Sequence, residues 1–273
     1  MSYPLTAVIS DLHGNRPALE ACLADASTRA VERFVCLGDM VGYGAEPRVC
    51  LDAVMRLCVD EPTELRSDGQ PFLPGLCLKG NHEEALLVSA EDFNEKARAA
   101  IEWTRDEIWR DPERADAYWD FLGELSARAT DERAMFVHAS PRDPVREYVV
   151  PRDIRDREKM KGLFAAMERG VCFIGHSHVP AVFFEDGSYF VPRGPEPTHG
   201  PYDLGDLKSV RAIINVGSVG QPRDGDPRLS YALFDGQNVT FIRVEYDHAE
   251  AAAAIRAVDA LPKFLADRLA AGR

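Results

Sequence analysis

Five short apolar runs in this chain each end on side chains able to bind a cation. Residues 5–9 lead into Ser10-Asp11-Leu12-His13-Gly14-Asn15, and Val35-Cys36-Leu37 leads into Gly38-Asp39. Residues 75–78 lead into Lys79-Gly80-Asn81-His82-Glu83, Ala134-Met135-Phe136-Val137 into His138, and Val171-Cys172-Phe173-Ile174 into Gly175-His176-Ser177-His178. Runs this short and apolar read as buried strands. In open α/β sheets, ligands bind beyond the carboxyl ends of the strands. Five strand ends carrying Asp, His and Asn to one rim therefore point to a metal site, and the number of ligands points to two ions.

Between the runs the pattern turns helical. Asn15 caps a segment with Pro17 in its first turn and Ala18, Leu19, Cys22 and Leu23 on one face. Residues 46–57 line up Val49, Ala53, Val54 and Leu57. This β-α-β-α opening predicts parallel strands with right-handed crossovers. Residues 60–74 hold Pro62, Pro71 and Pro74 and read as a surface loop. Residues 91–125 read as a helical, cap-like segment: Ala97, Ile101, Thr104 and Ile108 share a face, and Pro112 opens a second helix carrying Tyr118, Trp119 and Leu122. A helix is expected around 157–169.

After residue 178 the pattern becomes strands, at 181–184, 188–191, 212–216, 229–234 and 239–246. Glu185-Asp186-Gly187 and Asp235-Gly236-Gln237-Asn238 read as hairpin turns between them. A second, more antiparallel sheet is expected from this half. Residues 192–205, rich in Pro and Gly, read as a loop, and 248–270 as helix broken at Pro262. One domain over residues 1–273 is expected.

Composition narrows the function classes. Asp plus Glu number 45 against 32 Lys plus Arg, a net charge of −13. Generic nucleic-acid binding needs a basic surface, so it is not expected. The six cysteines contain no Cys-x-x-Cys pair and read as reduced, mostly buried thiols. No apolar stretch approaches the roughly 20 residues of a membrane span, and the N-terminus has no basic leader, so a cytoplasmic protein is expected.

The individual ligands argue their own chemistry. Asp11 and His13, two apart past a strand, can face one cation. Taken alone they also suit an Asp N-cap beside a surface His. The two oxygens of Asp39 suit it to bridge two ions and give it a catalytic part. Asn81 offers a neutral carbonyl ligand and is also a substrate-binding candidate. His82, pointing elsewhere, could protonate a leaving group. His138 alone would pass for a structural His, but His176 and His178, separated by one residue, are hard to explain as packing. Imidazole mixed with carboxylate suits Mn, Fe, Zn or Ni, with Mn put first. Arg142 and Arg223 are candidates for holding phosphate, because a guanidinium offers paired donors. His199 and His248 have no partners in sequence and read as exposed or capping.

The ordered series Asp11-x-His13, Gly38-Asp39, Gly80-Asn81-His82-Glu83, His138, Gly175-His176-x-His178 resembles the calcineurin-like metallophosphoesterases. Within them it is most similar to the compact bacterial YfcE and diadenosine-tetraphosphatase-like branch, through Ser10 to Asn15, His138-Ala139-Ser140-Pro141-Arg142 and Asn215-Val216-Gly217-Ser218-Val219-Gly220-Gln221-Pro222. The resemblance implies an α/β fold, a four-layer α/β/β/α sandwich of two mixed sheets. It implies one ion held by Asp11, His13, Asp39 and His178, another by Asp39, Asn81, His138 and His176, and His82 near the leaving group. Serine/threonine phosphatases of the superfamily carry Asp-Arg-Gly where this chain has Gly42-Tyr43-Gly44, so a partner acid for His82 and a phosphate-binding Arg are missing there.

The expected reaction is hydrolysis of a small phosphodiester or nucleotide phosphoanhydride by metal-activated water. The partner is a small phosphorylated substrate, with no membrane, and nothing in the pattern sets an oligomeric state. A phosphoprotein phosphatase and a non-catalytic metal-binding scaffold are the competing readings.

Overall fold

Alternation along the apolar runs decides how the layers stack. In the computed structural model, residues 3–205 and 210–273 are described. The elements among them are β1 (Thr6–Ile9), α1 (Arg16–Ser27), β2 (Arg33–Cys36), α2 (Pro47–Leu57), β3 (Leu76–Cys77), α3 (Asn81–Leu87), α4 (Glu95–Trp109), α5 (Ala115–Glu124), β4 (Arg128–Thr130), β5 (Ala134–Val137), α6 (Arg157–Ala165), β6 (Val171–Ile174), β7 (Ala181–Phe184), β8 (Tyr189–Phe190), β9 (Thr198–Asp203), β10 (Ala212–Asn215), β11 (Leu229–Phe234), β12 (Asn238–Val244), α7 (His248–Ala257) and α8 (Phe264–Asp267). They form two six-stranded sheets, ordered β3-β2-β1-β11-β12-β9 and β4-β5-β6-β10-β7-β8.

Successive side chains on a strand point to opposite faces. Val8, Val35, Phe136, Phe173, Ile214 and Phe234 therefore share the core between the sheets. Their neighbours turn outward. Ala7, Ile9, Phe34 and Cys36 pack under α1, α2 and the α3–α5 helices, while Met135, Val137, Cys172 and Ile174 pack under α6. The central strands are thus covered on both faces, which is why β1, β5, β6 and β10 are buried along their whole length. The result is the four-layer α/β/β/α sandwich of the metallo-dependent phosphatase fold. Phe173 is fully buried, with its ring 5.6 Å from Phe136 and 5.1 Å from Phe234. Phe173→Ala is expected to cost about 3–5 kcal/mol, read as a lower urea midpoint.

β1, β2 and β3 run parallel, as do β5, β6 and β10. All the ligand-bearing loops leave their strands at one end. The expectation that the later half forms the second, more antiparallel sheet is corrected: the later strands divide between the two sheets. β11, β12 and β9 complete the first, while β10, β7 and β8 complete the second, so both are mixed. Both hairpins form as expected, with Phe234 opposite Val239 and Phe183 opposite Tyr189.

Residues 192–205 are not wholly loop. β9 lies among them, as the edge strand beside β12. An edge tolerates Pro201, whose missing N–H costs nothing on the open side. It also carries His199 opposite Phe241, so this histidine is buried instead of exposed. His248 is the first residue of α7, whose cap is Asp247. The helix expected from Pro112 begins at Ala115, and β4 was not anticipated. All six cysteines are free thiols, and Cys77 alone is not fully buried. Among the described residues no helix is long and apolar enough to cross a membrane.

Candidate metal centre

The loops after β1, β2, β5 and β6 are tied to one another by their backbones. Asp11 N–H donates to Gly38 O at 3.0 Å, His13 N–H to Asp39 O at 3.0 Å, and Gly175 N–H to His138 O at 2.8 Å. Such close approach needs glycine. A Cβ on Gly80 would stand 2.1 Å from Asp39 Oδ1, and one on Gly175 would stand 2.0 Å from Ser10 Oγ. The backbone is also strained at the ligands. Seven described non-glycine residues have positive φ, and six are here: Asp11, His13, Asp39, Tyr43, His176 and His178, between 49° and 66°. Residues held in this sparse region cost free energy and gather where geometry serves function.

The expected ligands converge. His178 Nε2 lies 3.2 Å from His13 Nε2 and 3.2 Å from Asp11 Oδ1. His138 Nε2 lies 3.1 Å from both Asn81 Oδ1 and His176 Nδ1, and 3.3 Å from Asp39 Oδ2. Asp39 Oδ2 faces both halves, since it is also 3.8 Å from His13 Nε2. Among the described residues three side-chain groups could hold an ion: Asp11, His13 and His178; Asp39, His138 and His176; and His13, Asp39 and His82.

Hydrogen bonding fixes which atoms face inward. A carbonyl oxygen only accepts, so the ring nitrogen beside it carries the proton. His13 Nδ1 donates to Val41 O at 3.0 Å, His178 Nδ1 to Gln221 O at 2.6 Å, His138 Nδ1 to Leu37 O at 3.2 Å, and His176 Nε2 to Arg146 O at 3.1 Å. This is the outer-shell bonding that presents a histidine lone pair to a metal. The carboxylates are treated alike: Asp11 Oδ2 accepts from His176 N–H at 3.0 Å and Asp39 Oδ1 from His82 N–H at 2.9 Å. Each thereby keeps its other oxygen for the centre.

Electrostatics completes the test of fit. Burial pushes His13, His178 and His176 down, the last to about 3, which favours the neutral ring that a metal ligand needs. The facing nitrogens of His13 and His178 stand 3.2 Å apart, beside Asp11 Oδ1, which is buried without any hydrogen-bond partner. A divalent cation would satisfy all three atoms at once. Burial alone would raise Asp11, yet the facing His178 holds it well below the usual carboxylate range. Burial would likewise raise Asp39, but His138, His82 and His13 keep it ionised. Burial would lower His138, but Asp39 outweighs it and lifts the imidazole to about 9. An ion entering that half must displace this proton.

Other side chains complete the site. Glu83 accepts N–H bonds from Asp39 at 2.7 Å, Met40 at 2.8 Å, Val41 at 3.4 Å and Gly80 at 2.9 Å. It clamps the loop that aims Asp39. Burial and Asp39 push its carboxyl up to about 7, against the pull of the N–H donors. Glu83→Gln is expected to weaken metal affinity roughly 10–100-fold in a chelator-competition titration. Unchanged affinity would mean the clamp is irrelevant to the centre. Glu83 stands three residues past the helix cap Gly80, a spacing that signals such a back-bond.

His82 is buried, and its Nε2 faces Asp39 Oδ2 at 4.0 Å. Its Nδ1 has no partner: Gly42 lies against it, where a Cβ would come within 2.1 Å. Arg223 N–H donates to His178 O at 3.2 Å, and its guanidinium meets Gln221 Oε1 at 2.8 Å and lies 5.6 Å from the Tyr43 ring. Arg142 is engaged elsewhere. Its guanidinium is paired with Glu147 and packs over Gly162 of α6, so this arrangement lends no support to substrate binding. Tyr43, Arg146 and Tyr148 border the centre without any local sequence signal, since tertiary packing alone brings them there.

Carboxylates and imidazoles gathered at the strand ends of a four-layer sandwich define a class of metal-dependent hydrolases. The chain belongs to the calcineurin-like phosphoesterase superfamily, whose domain matches residues 5–238. It is a phosphoric ester hydrolase of a metal-dependent family. An uncharacterized protein of Methanocaldococcus jannaschii is 33% identical over 278 residues, covering 98% of each chain. A solved metallophosphoesterase from Sphaerobacter thermophilus is 37% identical, with a TM-score of 0.77 over 99% of this chain and 100% of its own. A hypothetical protein from Pyrococcus horikoshii shares the fold at 18% identity and a TM-score of 0.72, covering 98% of each chain.

Proposed function

We propose that the protein is a two-metal phosphoesterase acting on a small phosphodiester or nucleotide phosphoanhydride. The observation that carries this reading is Asp39 Oδ2, which stands between two ligand clusters, 3.3 Å from His138 Nε2 and 3.8 Å from His13 Nε2. Asp11, His13, Asp39 and His178 would hold one ion, and Asp39, Asn81, His138 and His176 the other. A divalent pair in this position supplies charge for the phosphoryl oxygens and acidifies water, and Mn is the proposed occupant. The protein's part is positioning. Backbone carbonyls hold the four imidazoles in one tautomer, and Glu83 holds the loop of Asp39. Asn81, at the edge of the cleft, and Arg223 would hold phosphate oxygens, and His82 would hydrogen-bond the leaving oxygen. The residues 91–125 form a cap-like wall through the start of α4.

Two observations favour a small substrate over a phosphoprotein. The Asp-Arg-Gly of the protein phosphatases is replaced by Gly42-Tyr43-Gly44, and the cleft over Asn81 and His176 holds about 260 Å³. The test is metal-stripped protein reloaded with Mn, Fe, Ni or Zn and given bis(p-nitrophenyl) phosphate, diadenosine tetraphosphate and a phosphopeptide. Turnover is expected only after reloading, with the phosphopeptide slowest. Faster phosphopeptide turnover would favour the protein-phosphatase reading, and inactivity with every metal and substrate would favour a scaffold.

A further inference from the structure

We propose that the cleft beside the metal centre accepts one aromatic ring system, a nucleobase or aryl group borne by the phosphate, and disfavours a second phosphate, which favours the phosphodiester over the phosphoanhydride of the two proposed substrates. This rests on the phosphoesterase reading and names the substituent that such a site takes. The cleft, about 260 Å³, opens directly onto Asn81 and His176. That is just below the roughly 300–1,000 Å³ of drug-sized ligand sites, enough for a ring but not for an extended peptide.

Three aromatic side chains from separate segments wall it. Tyr43 lies between β2 and α2, Phe93 just before α4, and Tyr148 beyond β5. Each already leans on an imidazole. Tyr43 lies 4.6 Å from His13 and 4.5 Å from His82, Phe93 lies 5.2 Å from His82, and Tyr148 lies 3.9 Å from His176. The rings are therefore held in place around the opening. Tyr148 remains 50% exposed, an apolar face available for stacking.

Charge narrows the class further. Arg146 crosses the rim to Glu84 at 2.8 Å and Asp92 at 3.6 Å. Two carboxylates thus face one guanidinium, and Arg146 is the only Lys or Arg side chain lining the cleft among the described residues. A second phosphate there would meet net negative charge. The amino edge of a nucleobase or a phenolic O–H would instead meet hydrogen-bond acceptors.

The experiment is isothermal titration of Mn-loaded protein with methyl phosphate, phenyl phosphate and a nucleoside monophosphate and diphosphate. The two ring-bearing monoesters are expected to bind roughly tenfold or more tightly than methyl phosphate, because burying a ring is worth at least that much. Ala97→Phe, which fills the floor of the cleft, should erase this advantage. If that variant fails to fold, Ser89→Trp at the exposed rim serves instead. Asp92→Lys, at a largely exposed position, should strengthen diphosphate binding more than monophosphate binding. Equal affinity for methyl and phenyl phosphate overturns the ring assignment, and an equal change for both nucleotides on Asp92→Lys overturns the charge assignment. Hydrolysis of bis(p-nitrophenyl) phosphate by the same sample separates the two levels. With turnover present, either result sinks only this inference; without turnover under any metal, the phosphoesterase reading falls first.

Discussion

Replacing Asp39 with Asn is expected to abolish measurable turnover and to release at least one of two bound metal ions. The loss should exceed the roughly 10²–10⁴-fold expected for removing a general acid. Asp39 is the side chain that the two proposed ligand sets share. Its Oδ1 is committed to the His82 N–H at 2.9 Å, leaving Oδ2 for the centre. An amide of the same shape removes the charge and can turn an N–H₂ toward the ions. His138 works against part of this loss, because the Asp39 carboxylate lifts it to about 9 and an entering ion has to displace that proton. Without that charge its proton loses the partner that holds it. Metal analysis beside activity gives the check, and a variant that keeps two ions and near-full activity would remove Asp39 from the mechanism.

Replacing His82 with Ala is expected to lower kcat by about 10²–10³-fold, the size of one lost hydrogen-bond donor to developing charge, while both ions stay bound. Two roles compete for this residue, because its Nε2 also belongs to an ion-capable group with His13 and Asp39. Leaving-group dependence separates them. A residue assisting the leaving oxygen matters more for an alkoxide than for p-nitrophenolate, whereas a lost ligand slows both alike and lowers metal content. Burial, with Arg223, His178 and His138 adding to it, pushes His82 down to about 4 even against Asp39. The ring is therefore neutral from about pH 5 upward and can donate a hydrogen bond but not a stored proton. The kcat/KM profile should accordingly show no falling limb near pH 6–7 that disappears in His82→Ala. A limb of that kind would mean that His82 titrates normally and acts as a full acid.

Much of the fold and centre was legible because two physical patterns coincide in the chain. Buried parallel strands are continuously apolar, and their ends carry the ligands, so β1, β2, β5 and β6 announced both themselves and Asp11, His13, Asp39, His138, His176 and His178. The sheet assignment of the later strands was not legible. Hairpin turns tell which strands pair locally, but β9, β10 and β11 choose partners across the fold, and β9 hides behind Gly200-Pro201 because an edge tolerates proline. The surroundings of the centre were legible only in part. Glu83 sat within a recognised motif, but its four backbone partners come from two loops. Tyr148 and Arg146 reach the centre from a loop with no periodicity. Arg142 looked like a phosphate ligand by its distance from His138, yet Glu147, five residues further on, captures it.

The central claim is that distant strand ends cage two neighbouring cations across one aspartate. Anomalous diffraction from crystals soaked in Mn tests it most directly. Two peaks are expected about 3.5–4 Å apart, one beside Asp11, His13 and His178, the other beside Asn81, His138 and His176, with Asp39 Oδ2 between them. A single peak, or two peaks remote from Asp39, would contradict the account.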